Sequence, residues 1–144
     1  MIRIDPNELD KFAVEITKLD DKTKDNVQKV LNNTGFNIEA QAKINLDRNK
    51  SVVTGHLRRG IATKIGNMEV TVHTSNIKYA PMVEYGTKPH IIKPKNKKAL
   101  YWKGAKHPVK SVRHPGSRAK PFLIPAFEKE KEVIMKDLEK IVKW

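Results

Sequence analysis

The sequence predicts an α+β fold, in which a small antiparallel or mixed sheet packs against a long N-terminal helix and a C-terminal helix and carries a basic loop or hairpin arm. Three observations predict it. Apolar residues recur at helical spacing near both ends of the chain. Two alternating segments flank a short central connection. Between Tyr85 and Phe127 the chain gathers 11 Lys and Arg with no Asp or Glu. The order helix, helix, hairpin, short helix, strands, helix implies one antiparallel sheet against helices. At 144 residues a single domain with one modest core is expected. Its parts are a helical N-terminal region over 1–50, a hairpin and short helix over 51–84, a basic strand and loop arm over 85–120, and a C-terminal helix over 121–144.

Asp5-Pro6-Asn7-Glu8 places a capping carboxylate before a proline suited to the first helical position, with Glu8 set to complete a capping box. A helix starts there on this reading, with Leu9, Phe12, Ala13, Ile16 and Leu19 as its apolar stripe. Asp20-Asp21 can cap the longest helix, roughly Asp21 to Leu46, whose Val27, Val30, Leu31, Thr34, Ile38, Ala42 and Leu46 share one face. Gly35 inside it costs up to ~1 kcal/mol relative to alanine and marks a close crossing or a bend. Asp47 to Gly60 is polar and basic, a loop leading to one helical turn that Thr54 can cap.

Ile61–Ile65 and Met68–His73 alternate around Gly66-Asn67, the best hairpin in the chain. Ile77 to Tyr85 suits a short helix with Pro81 in its first turn and Gly86 as its terminator. His90–Lys93 and Ala99–Trp102 read as short strands joined by the basic turn Pro94–Lys98. Lys103 to Lys120 is then loop, with a short strand at Val109–Val112. The last helix begins at Pro121 or Pro125 and runs towards Trp144. Its apolar face is expected to dock on the sheet, and the mixed charges Glu128 to Glu132 to face solvent.

The net charge of +13 is localised. Met1 to Glu84 holds 13 bases and 11 acids, and Glu128 to Trp144 holds 5 of each. The excess in the segment between them favours an anionic partner. Without cysteine, disulfides, zinc ribbons and thiol nucleophiles are excluded. No apolar run approaches the ~18 residues of a membrane span, so no membrane partner is expected and synthesis is read as cytoplasmic.

The histidines His56, His73, His90, His107 and His114 have no metal-helix spacing, so no metal and no cofactor is expected. No serine has a histidine and acid arrangement around it, and no nucleotide-binding glycine loop is present. Glu84 is the one acid worth weighing as a base. Set among cations it favours its charged form, and a structural pairing with Arg58, Arg59 or a lysine is the stronger reading. In the basic segment, Lys95, Lys97, Lys98, Trp102, Lys103 and Arg113 are candidates for contacting a partner or nucleic acid.

Three clusters then stand in order: Val53-Thr54-Gly55-His56-Leu57-Arg58-Arg59; Tyr79-Ala80-Pro81-Met82-Val83-Glu84-Tyr85-Gly86-Thr87; and His114-Pro115-Gly116 followed by Pro121-Phe122-Leu123-Ile124-Pro125-Ala126. The set resembles the tail-completion, or head-tail joining, proteins of long-tailed double-stranded DNA bacteriophages, including the minor tail protein Z type. The resemblance implies a non-enzymatic virion component at the neck or head-proximal tail, built as a ring and contacting itself, connector or tail proteins, and DNA passing through. On this reading the arm meets an adjacent subunit first and DNA second. The alternative is a free nucleic-acid-binding protein that uses the 85–127 segment.

Overall fold

The computed structural model describes residues 20–51 and 54–141. The expected first helix, Val53 of the first motif and the last three residues lie outside the described residues. The elements in chain order are α1 Asp21–Arg48, α2 His56–Gly60, β1 Ala62–Gly66, β2 Glu69–His73, α3 Ala80–Tyr85, β3 His90–Ile92, β4 Val112–His114 and α4 Leu123–Ile141. The α+β class holds.

α1 begins as its sequence dictates. Asp20 accepts hydrogen bonds from the Thr23 amide and hydroxyl, each at 2.9 Å. The same bonds, the amide foremost, hold its carboxyl below the usual 3.8. The helix runs 28 residues, about 42 Å at 1.5 Å per residue, and buries Val27, Thr34, Ile38, Ala42 and Leu46 along one face. Val30 and Leu31 are half-buried.

Gly35 is where the β1–β2 hairpin crosses α1. A Cβ there would lie 2.8 Å from Thr63 Cγ2 and 2.9 Å from Val70 Cγ2, so the glycine admits the hairpin against the helix backbone. Thr63 donates its hydroxyl proton within reach of two acceptors, the Gly35 carbonyl at 3.1 Å and Glu39 Oε2 at 2.7 Å. The hairpin turn is Asn67-Met68, one residue later than expected, because Gly66 pairs with Glu69 inside the ladder. Met68 takes φ +53°, and its amide donates to Gln28 of α1 at 2.6 Å.

Two expectations are corrected. The strands form two separate two-stranded ladders, β1–β2 and β3–β4, both antiparallel. β3 pairs with Val112–His114, while Ala99–Trp102 is not a strand and contributes only a bridge from Leu100 to Val109. The C-terminal helix starts at Leu123 and lies along α1 rather than on a sheet. Lys129 reaches Gln41 at 2.8 Å, and Glu130, buried, accepts from Asn37 at 3.2 Å. Two of the five residues of the mixed-charge run thus reach α1, and a polar partner compensates the burial of Glu130.

The core gathers Ile38, Ala42 and Leu46 of α1, Leu57 of α2, Ile61, Ile77, Ala80 of α3, and Phe122 and Ala126 at the start of α4. Phe122, Leu46 and Ile61 are its largest fully enclosed side chains, each contributing about 1.5–3 kcal/mol by burial.

Candidate functional site

The second and third motifs meet at the start of α4. Helix N-termini leave four amides without partners, and Pro121-Phe122-Leu123-Ile124-Pro125 offers no Ser, Thr, Asp or Asn to cap them. Glu84 of α3 supplies the acceptors from a distance. Its buried carboxylate accepts from the amides of Phe122 at 2.8 Å, Leu123 at 3.0 Å and Ile124 at 2.9 Å. A negative charge at this end of a helix is also favoured by the helix dipole.

The carbonyls of the same segment are held from α1. Asn45 donates to the Phe122 carbonyl at 2.9 Å and Asn49 to the Pro121 carbonyl at 2.8 Å. The Lys120 amide donates to the Val83 carbonyl at 2.8 Å. The two ends of the basic segment are thus fastened to each other and to the body.

Gly86 and Gly116 shape the crossing just beyond. Both have positive φ, +73° and +89°, a region costly for other residues. A Cβ on Gly86 would meet the Ser117 carbonyl at 2.5 Å, and one on Gly116 would strike the Thr87 carbonyl. With both glycines in place, Thr87 and Ser117 exchange amide–carbonyl bonds at 2.9 and 3.0 Å. One step on, His90 and His114 stack across the ladder with ring centroids 5.0 Å apart. The arm then runs through Ile91 opposite Arg113 and Ile92 opposite Val112. It narrows again at the Leu100–Val109 bridge and ends in a turn closed by the Ala105 amide on the Trp102 carbonyl at 2.9 Å.

Between Thr87 and Lys120 no residue is buried, and all 11 cations are exposed. Among the described residues none of these cations sits in an ion pair. Lys95, Lys97, Lys98 and Lys103 lie in the loops, Arg113 lies on β4, and Trp102 stands half-exposed beside Tyr101 near the tip.

The remaining motif residues divide between core and surface. Leu57, Ala80, Phe122 and Ala126 are buried, and Val83 packs against the core. Thr54 lies behind the first amide of α2, its hydroxyl 3.4 Å from the His56 nitrogen, and Gly55 takes φ +73°. Pro115 and Pro125 are exposed. One expectation changes. Arg58 pairs with Asp47 at 3.1 Å, so it is not the partner of Glu84. Tyr79 is exposed, its hydroxyl 3.5 Å from His56 Nδ1. Sequence reasoning missed Asn45, Asn49 and Asp47. The signal for a remote cap was the uncapped apolar run at 121–125.

Beside the start of α4, an apolar groove of about 710 Å³ is lined on α1 by Leu31 and Ile38. Val70 and Val72 of β2 form one wall, and Leu123, Ile124, Phe127 and Ile134 of α4 form the other. Among the described residues no group of three or more His, Asp or Glu is placed to hold a metal ion, and no helix is long and apolar enough to cross a membrane.

The described residues thus form a body built mainly of helices, with a cationic arm fastened to it at the root. Residues 10–86 match the family described as "Bacteriophage HK97-gp10, putative tail-component". The chain belongs to this family of phage tail components. The match ends at Gly86, where the arm leaves the body. Neither the curated proteins nor the solved structures give a significant match.

Proposed function

We propose that the chain is a non-enzymatic virion protein that completes the tail or joins head to tail at the neck, assembling with copies of itself in a ring and with connector or tail proteins. The observation that carries this reading is the family match over residues 10–86. The apolar groove supports it, since Ile124 and Phe127 remain 44% and 47% exposed along its wall and contiguous apolar surface of this kind favours burial against a neighbour. Phe36 and Ile44, about half-exposed on another face of α1, add surface for a second contact. In this reading the motif residues build the body and hold the arm root, and contacts with neighbours are made through the body.

Electron microscopy of particles from a phage lacking this gene tests the proposal. Heads and tails that fail to join, or defective tails, are expected. Normal, fully infectious particles would exclude it.

A further inference from the structure

We infer that the arm binds double-stranded DNA through its phosphates, without regard to sequence. The structure carries this further than net charge does. All 11 cations between Thr87 and Lys120 are exposed, no acid interrupts them, and none is engaged in an ion pair among the described residues. The arm does not fold back onto the body to neutralise itself. Its root is fixed by the Thr87–Ser117 and His90–His114 pairs; Arg113 lies on this short ladder, and the other ten cations lie on the segments that lead into it and the loops beyond it. A narrow two-stranded base of this kind lets exposed loops lie along a duplex.

The chemistry of the cations separates DNA from an acidic protein face. Nine of the 11 are lysines. Protein interfaces deplete lysine and enrich arginine at their cores, whereas counterion release from a duplex is driven by lysine as well as by arginine. The inference is independent of the neck reading, because it concerns the isolated chain and a duplex. If about half the arm cations meet phosphates on one face, five contacts give a log–log salt slope of about −4.5, and affinity should fall several-hundred-fold between about 50 and 200 mM salt.

The test is fluorescence anisotropy of the full chain with two labelled duplexes of unrelated sequence. Both should bind at 50 mM salt with similar affinity and the steep slope. Substituting Lys95→Gln, Lys97→Gln and Lys98→Gln together should reduce the slope by about 0.9 for each of the three that meets a phosphate. The body substitutions Lys22→Gln, Lys29→Gln and Lys64→Gln, of equal total charge, should leave it unchanged. Absence of binding at 50 mM salt would overturn the inference. So would equal effects of the two triple variants, or tighter binding to single strands. Polyglutamate competing as well as duplex at equal charge would also overturn it, in favour of an acidic protein partner.

Discussion

Glu84 holds three amides with two oxygens, so its substitutions can be ranked. Glu84→Gln keeps the shape but offers one acceptor oxygen, and should cost about 1–3 kcal/mol in urea unfolding, the range for an unsatisfied buried polar group. Glu84→Ala leaves all three amides without that acceptor and should cost more. Equal stability of the wild type and Glu84→Gln would refute the capping role. Glu39 offers a second test. Burial pushes its carboxyl up, but hydrogen bonds from Lys43 and Thr63 outweigh this and hold it below the usual 4.5. A lowered folded-state pKa stabilises the protein above the unfolded value and loses that contribution as pH falls through the folded one. Glu39→Gln should therefore be less stable than wild type at pH 7, with the gap closing as pH falls below the usual 4.5. A gap independent of pH would rule out the carboxylate as its source. Neither partnership was legible in the sequence. Capping is usually local, and Glu84 acts across 38 residues.

Among elements, α1 was legible because its signals are local: an aspartate cap, a 3.6-residue apolar period and a glycine where the hairpin crosses. Gly35→Ala sets two effects against each other. Helix propensity favours alanine by about 1 kcal/mol. The added methyl would meet Thr63 and Val70 at under 3.0 Å, and overpacking costs about 1–3 kcal/mol. The variant should be net destabilised, with lowered amide protection in β1 and β2; a rise in melting temperature would contradict the close crossing. The arm ladder was less legible. Lys93 and its neighbours resemble a strand next to a tight turn, yet β3 finds its partner beyond the intervening segment at Val112–His114. The register is set at the root, by Gly86 and Gly116, and not by the pattern of the strands. The docking of α4 on α1 was likewise missed, because an apolar stripe says that a helix packs without saying against what.

At the scale of the molecule, the fold class and the separation of a nearly neutral body from a cationic arm could be read from the sequence. The groove could not, since Val70, Val72, Ile134 and Phe127 come together only through tertiary packing. If that groove meets a neighbour in the particle, Phe127→Ser should leave the isolated chain folded, lowering its stability by about 1–2 kcal/mol for a half-exposed ring, while failing to restore assembly to a phage lacking the gene. Wild-type rescue of infectivity by this variant would remove the groove from the interface.

The short bond from Lys120 to Val83, 2.8 Å across the base of the arm, has a consequence for engineering. A segment whose ends already meet is an insertion in the geometric sense, and lengthening such a loop costs only about 0.6 kcal/mol per doubling. The body should therefore tolerate arms of different length. Splicing Thr87 to Ser117 through a two-residue turn should yield a shortened chain with an intact core, ready to carry a graft of another design.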